Sequence, residues 1–162
     1  MADKTARDQA RAERRVIAEN RKARHDYHVL ETWEAGVALL GTEVKAIREG
    51  RVNLRDSYAR VENGEVWMMN VHVSPYSHRG YAEHAEKRQR KLLLHRDEIR
   101  KLVGRTTEKG LTLVPLEMYF KNGRVKVLIA LAKGKQAHDK RETLRMREVD
   151  RETRAAVKAR QR

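Results

Sequence analysis

The chain has 162 residues and a formal net charge of +14, with 37 Lys and Arg against 23 Asp and Glu, two Pro and no Cys. That length suits one domain with its own core. The missing Cys excludes disulfides and thiolate metal sites, no apolar run is long enough for a membrane-spanning helix, and the charge points to a polyanionic partner without fixing a fold.

The charge is uneven. Residues 1–24 carry 8 Lys and Arg against 4 acids, and residues 133–162 carry 11 against 5. Net charges of +4 and +6 therefore sit at the ends, and the 108 residues between share +4. The N-terminus lacks the apolar core of a secretory signal, and a Cys-free chain fits a reducing cytoplasm. Residues 1–16 read as a mobile basic start, with at most a weak helix that becomes ordered near Ile17.

From Tyr27 the pattern turns to strand. Tyr27, Val29, Glu31 and Trp33 alternate, Glu34-Ala35-Gly36 reads as a turn, and Val37 to Leu40 as a return strand. Thr42 is then the expected N-cap of a short helix ending at Gly50. Residues 53–61 and 65–73 are strands about Asn63-Gly64, the strongest short hairpin signal. Residues 75–87 read as a loop. Leu92 to Leu94 precede a helix with Ile99, Leu102 and Val103 on one face, stopped at Gly104. A second Asn-Gly pair, Asn122-Gly123, joins the strands 111–120 and 124–131. About six strands in hairpins with two short helices predict a mainly β fold, an antiparallel barrel of the OB type over residues 17–132.

After Leu131, residues 132–141 form a joint, and residues 133–162 a basic tail. Asp139 and Glu142 resemble a capping box, and bases gather at the far end, as a helix dipole favours. Yet Arg141/Arg145, Arg147/Arg151, Arg154/Lys158 and Lys158/Arg162 are like charges four apart. The tail is expected to be marginal alone and helical against polyanion.

No catalytic residue, metal or cofactor is expected. His25 and His28 would face opposite ways on a strand. His72, His78, His84 and His95 lack ligand spacing to a carboxylate pair, and no nucleophile elbow or phosphate loop is present. The run Arg88-Gln89-Arg90-Lys91 reads either as a solvated loop or as a phosphate contact through Arg90 and Lys91. Tyr27, Trp33, Tyr58, Tyr76, Tyr81 and Tyr119 are core residues or stacking platforms for bases, and in strands the first use is the commoner.

Ordered motifs carry a resemblance. Ala23-Arg24-His25-Asp26-Tyr27, Gly41-Thr42-Glu43-Val44-Lys45, Asn53-Leu54-Arg55-Asp56-Ser57-Tyr58, Arg90-Lys91-Leu92-Leu93-Leu94 and His138-Asp139-Lys140-Arg141 stand in sequence. The chain resembles the SmpB family, the protein partners of tmRNA in bacterial trans-translation. The resemblance implies an OB-like barrel that binds the tRNA-like domain of tmRNA, one copy per tmRNA, and accompanies it to stalled ribosomes in the cytoplasm. It also implies a tail that is helical on the ribosome and enters the empty mRNA channel of the small subunit. No membrane is involved. The implied tmRNA face comprises Asn20, Arg24, His25, Tyr27, Glu34, Leu93 and Gly134, with Arg90 and Lys91 added as phosphate contacts. His95 stands where relatives often have Asn, and joins this set. The implied decoding-centre and channel set is His138, Asp139, Lys140 and Arg141, with the tail bases Arg145, Arg147, Arg151, Arg154 and Lys158. The loop before Arg90 reads His84-Ala85-Glu86 where relatives have His-Asp-Pro. The rival readings are a general single-strand RNA chaperone, which needs no defined tail, and behind it a metal-dependent nuclease.

Overall fold

Two Asn-Gly turns frame the sheet. Asn63 and Gly64 have φ of 51° and 72°, and Asn122 and Gly123 have 51° and 73°. Both positions of each turn are left-handed, as the tightest hairpins require. The first turn joins β4 (Tyr58–Glu62) to β5 (Glu65–Met69), and the second joins β8 (Leu111–Lys121) to β9 (Arg124–Gly134). The computed structural model describes residues 14–78, 83–108 and 110–160. The expected mobile start, up to residue 13, and Tyr81 lie outside the described residues.

The remaining strands are β1 (Arg14–Glu19), β2 (Tyr27–Val37), β3 (Val52–Asn53), β6 (His72–Val73) and β7 (Arg90–Leu93). Among the described residues four helices accompany them: α1 (Arg21–Asp26), α2 (Gly41–Arg48), α3 (Arg96–Thr106) and α4 (Ala137–Arg160). Antiparallel pairing runs β8–β4–β5–β7–β2–β9 and returns from β9 to β8, so six strands close into a barrel. β9 occupies one edge of β8 throughout, and the other edge is shared by β4 at Leu113 and β1 at residues 117–121. β3 and β6 form a separate two-stranded ladder.

Alternation on the strands fills the interior. Val66 and Met68 of β5 and Val127, Ile129 and Leu131 of β9 are fully buried, with Ile47 of α2 and Leu102 of α3 packed among them. A second, smaller cluster lies apart, where Ala23 of α1 meets Val114, Leu116, Ala130 and Ala132. Register slips between Pro115 and Glu117, which leaves Leu116 as the extra residue of a bulge. Its carbonyl is free to accept the Asn20 N–H at 2.7 Å. The bulge thus both bends β8 and seats α1.

Several expectations change. Residues 14–19 form a strand, because Ile17 and Ala18 pack on the main core while β8 offers an open edge. The predicted hairpin at Tyr27 is one strand, with Glu34, Ala35 and Gly36 paired opposite Leu128, Val127 and Lys126. Small residues are there for packing: Ala35 is fully buried, and a Cβ on Gly36 would lie 3.3 Å from Leu93 Cβ. The strand expected over 53–61 is interrupted: Asn53 ends β3 and β4 starts at Tyr58, since Asp56 is left-handed at φ 60° and the Ser57 hydroxyl donates to Leu54 O at 2.5 Å. Leu40, not Thr42, is the N-cap of α2, and its N–H is accepted by Glu43 Oε1 at 3.2 Å. Gly104 lies inside α3, which runs on to Thr106. β9 continues through Lys133 to Gly134, paired with His28 and Tyr27, two residues past the expected barrel boundary. Only Lys135 and Gln136 separate β9 from α4.

Candidate nucleic-acid interface

Two residues expected to touch RNA are engaged inside the protein. Asn20 is 4% exposed and caps α1. Its Oδ1 accepts the Ala23 N–H at 3.1 Å, and its Nδ2 donates to Leu54 O and Pro115 O, each at 3.0 Å. Arg90 is fully buried. Its Nε donates to Glu43 Oε2, and its Nη atoms donate to the carbonyls of Val71, Arg88 and Glu86 at 2.8, 2.9 and 3.2 Å. Arg88 Nη2 closes the same carboxylate through Oε1 at 2.5 Å. Burial pushes Glu43 up, but the hydrogen bonds from Arg90 and Arg88 outweigh it and hold the carboxyl below its usual range. The run 88–91 is therefore no phosphate patch as a whole: alternation turns Arg90 inward, where the acid of α2 meets it.

The outer face of the barrel holds a second chain of charges. Glu117 of β8 is 8% exposed and accepts from Arg24 Nη2 at 2.5 Å and from Arg14 Nη2 at 2.6 Å. The Arg14 guanidinium sits 4.6 Å from the centroid of the buried Tyr119 ring. The Tyr119 hydroxyl donates to Glu34 Oε2 at 2.5 Å, and Lys121 Nζ reaches both Glu34 oxygens at 3.3 and 3.4 Å. Burial pushes the Glu34 carboxyl up, but the bonds from Tyr119 and Lys121 win and hold it low. Tyr119 moves the other way, raised by burial and by its bond to Glu34, so it remains a donor at neutral pH. Arg14, Glu117, Tyr119 and Lys121 were not anticipated as supports. Glu117 carried a signal: an acid in the otherwise apolar run 113–120 needs a cation beside it.

Glu34 and Leu93 share one outward patch. Residues 34 and 36 lie on the same side of β2, and Gly36 pairs with Leu93. Leu93 is 52% exposed over the glycine. A groove of about 330 Å³ runs beside it, with Arg124 and Lys126 among its lining. At the opposite end of the same strand Tyr27 pairs with Gly134, beside Arg24 and His25 of α1. The expected face thus follows β2, with roughly 23 Å from Tyr27 to Glu34 at strand rise. Lys91 is half-buried, with Nζ 2.6 Å from Glu65 Oε1. His95 is exposed at the N-cap of α3. Among the aromatics, Trp33 and Tyr119 are core, while Tyr27, Tyr58 and Tyr76 are partly open.

The structure joins the start of this face to the start of the tail. Asp139 Oδ2 lies 3.3 Å from His28 Nε2 and accepts the Gln136 N–H at 3.3 Å. Asp26 Oδ1 lies 3.0 Å from His25 Nδ1 and 3.5 Å from Lys140 Nζ. The bond from His25 holds Asp26 below its usual range, and the bond from His28 does the same for Asp139. Lys135 adds a backbone bond to Asp26 O at 2.8 Å and a side-chain bond to Thr143 Oγ1 at 3.2 Å. His138 and Arg141 are exposed, as are Arg145, Arg147, Arg151, Arg154 and Lys158 along α4.

A surface of paired charges and open apolar side chains, joined to a basic helix, has counterparts among known proteins. The model of the family described as SmpB protein matches residues 17–159. The chain belongs to the SmpB family. The SsrA-binding protein of Carboxydothermus hydrogenoformans is 59% identical over 146 residues, 90% of this chain and 98% of that protein. The SsrA-binding protein of Trichodesmium erythraeum is 58% identical over 145 residues, 89% and 93% of the two chains. A solved structure described as "tmRNA-SmpB: a journey to the center of the bacterial ribosome" matches with a TM-score of 0.65 and 51% identity, covering 80% of this chain and 94% of the other. This SmpB-family chain therefore shares sequence with proteins named as SsrA-binding, and fold with a chain of that tmRNA-SmpB structure.

Proposed function

We propose that the chain binds the tRNA-like domain of tmRNA along β2 and α1 and delivers it to stalled ribosomes. In this reading α4 enters the vacant mRNA channel of the small subunit. The observation that carries the reading is α4 itself, 24 residues without one buried side chain. At helical rise it spans roughly 36 Å. Residues 137–160 hold 8 Lys and Arg against 5 acids. A helix with no apolar face to bury and a surplus of cations suits an RNA-walled channel, where each phosphate contact adds salt-dependent affinity.

Within that reading Glu34 and Leu93 contact tmRNA, with Arg24, His25, Tyr27 and Gly134 at the other end of β2. His138, Asp139, Lys140 and Arg141 meet the decoding centre, and the later bases line the channel. The body at residues 17–132 and the tail at residues 133–162 are then separate functional units. The chain is an adaptor without catalytic residues or cofactor, one copy per tmRNA, and it works in the cytoplasm. No described helix is long and apolar enough to cross a membrane.

The test is truncation after Gln136. The shortened protein is expected to fold and to bind tmRNA almost as the full chain does, because α4 contributes nothing to either core. It is expected to fail in tagging peptides on ribosomes stalled at a message end. Loss of tmRNA binding together with tagging would place the tail in the tmRNA site, and full tagging would reduce it to a solubilising appendage.

A further inference from the structure

Helix α3 carries a face that the barrel does not cover. Leu102 is fully buried in the main core. Arg96, Ile99, Arg100 and Val103 fall at the i, i+3, i+4, i+7 spacing of a single helical stripe beside it. With Leu94 and Gly64 this stripe lines a groove of about 500 Å³, inside the ordinary range of ligand clefts, about 300–1,000 Å³. Leu94 and Ile99 are half-buried and make its floor, while Val103 stays 43% exposed. Gly64, in the left-handed turn of the first hairpin, brings no side chain to fill it. The groove shares no lining residue with the one beside Leu93.

Charge and floor together select the occupant. Among the described residues the lining holds two cations and no acid. Arg96 and Arg100 are like charges four apart, an arrangement that costs helix stability. Arg96 has no ion pair among the described residues. Arg100 reaches only Asp97, at 3.5 Å, with the two side chains 71% and 88% exposed. A carboxylate between the guanidiniums relieves their repulsion and accepts charge-assisted hydrogen bonds. An aliphatic side chain next to it covers Leu94, Ile99 and Val103 and takes their surface out of water. RNA suits the cations but not the floor, because no aromatic ring among the described lining residues offers a base a stacking partner. A second copy is disfavoured by charge, since each chain carries +14.

We propose that this groove docks an acidic peptide segment of a protein partner, with an aliphatic side chain on the floor and a carboxylate between Arg96 and Arg100. The site uses no residue of the β2 face or of α4, so it stands independently of the RNA-binding reading. A partner held there leaves both of those surfaces open to RNA.

The probe is a short capped peptide alternating leucine and aspartate, titrated into the full chain while backbone amide shifts are followed. It is expected to move the amides of Leu94, Ile99 and Val103. Two control peptides carry asparagine for aspartate or serine for leucine. Each is expected to bind about tenfold more weakly, as is the parent peptide to the double variant Arg96→Gln, Arg100→Gln. Both arginines are exposed, so the double variant should melt with the parent and hold its tmRNA affinity within about twofold at physiological salt. A peptide that leaves these amides in place overturns the proposal. An equal response to the serine peptide overturns it by making the contact electrostatic alone, and an equal response to the asparagine peptide by leaving the arginines idle. A uridine oligonucleotide that moves the same amides as far, or a large loss of tmRNA affinity in the double variant, would make the groove an RNA contact instead. Shifts that grow with protein concentration alone would make it a contact between copies, and either result overturns the peptide assignment.

Discussion

Arg90 and Arg141 are the same residue type used in opposite ways. Arg90 is fully buried, and Glu43 and three carbonyls surround its guanidinium. Arg141 is exposed at the start of a helix in which nothing is buried. The barrel closes its charges inside the fold, through Glu43 in the interior and through Glu117 and Glu34 on the outer face. The tail leaves most of its charges to water. Charge in the barrel therefore fixes a shape, whereas charge in the tail stays exposed, where the proposed reading assigns it to a partner. Composition alone could not separate the two uses, since both appear as Lys and Arg in one basic chain.

The largest expected effect comes from breaking the barrel's interior pair. Arg90→Ala leaves the Glu43 carboxylate buried, and removing one partner of such a pair costs about 3–5 kcal/mol. With domain stabilities of about 5–15 kcal/mol, this variant should unfold at far lower urea than the parent. The pH dependence has a definite sign. Despite burial, hydrogen bonds hold Glu43 below its usual range in the folded state. Its contribution is present above the unfolded pKa and is lost as pH falls through the lowered folded value. Glu43→Gln should therefore be less stable at neutral pH and show a shallower acid limb. An unchanged acid limb would mean that other carboxylates govern acid unfolding. Truncating Arg145 in the tail should move neither curve.

Next come the supports of the outer face. Glu34→Ala should weaken tmRNA binding by about 1–3 kcal/mol, the cost of leaving charged hydrogen-bond partners unmet. Tyr119→Phe removes only the hydroxyl that holds Glu34 Oε2. It should lose about 0.5–1.5 kcal/mol of affinity while the melting temperature changes little. An affinity unchanged by Tyr119→Phe would show that Lys121 alone orients Glu34.

How much of this was legible follows from the range of each signal. Both Asn-Gly hairpins were readable because turn chemistry is local. β9 was readable because its buried positions alternate. Glu34-Ala35-Gly36 was misread because small residues serve turns and close strand approach alike, and only the position of Leu93 tells them apart. β1 was missed because two apolar residues do not announce a strand; the open edge of β8, a hundred residues away, makes it one. Arg90 looked like part of a basic run because its acid lies 47 residues earlier on α2. Tyr27, Glu34, Leu93 and Gly134 entered as candidates through family resemblance. Their common strand line, and the network behind Glu34, belong to tertiary structure.

The tail's intrinsic helicity offers a subtler contrast with the barrel. Like charges four apart oppose the helix, and no apolar face supports it. A peptide of residues 139–162 should have low helicity in low salt and gain it on adding polyanion, as read by circular dichroism. A fully helical peptide without a partner would mean that the polyanion only orients a helix already made.

The smallest expected effect is on the direction of α4, and it sharpens the contrast because it concerns a place where the two regions touch. Asp139 meets His28 of β2, and Lys140 meets Asp26 of α1. These are partly exposed contacts, so each is weak and screened by salt. They contribute little to stability, but a helix with no buried side chain has few other constraints on where it points. Replacing Asp139 by Asn, together with His28→Ala, should leave the melting temperature near the parent value and widen the range of α4 directions. The chain has no Cys, so Glu62→Cys and Glu152→Cys can carry a spin-label pair from barrel to tail without interference. The parent should give a narrow distance distribution in low salt that broadens as salt rises, and the double variant should be broad throughout. A distribution already broad in the parent at low salt would mean that these contacts do not orient the tail. A narrow one that survives in the double variant would assign its direction to the backbone bond from Lys135 to Asp26.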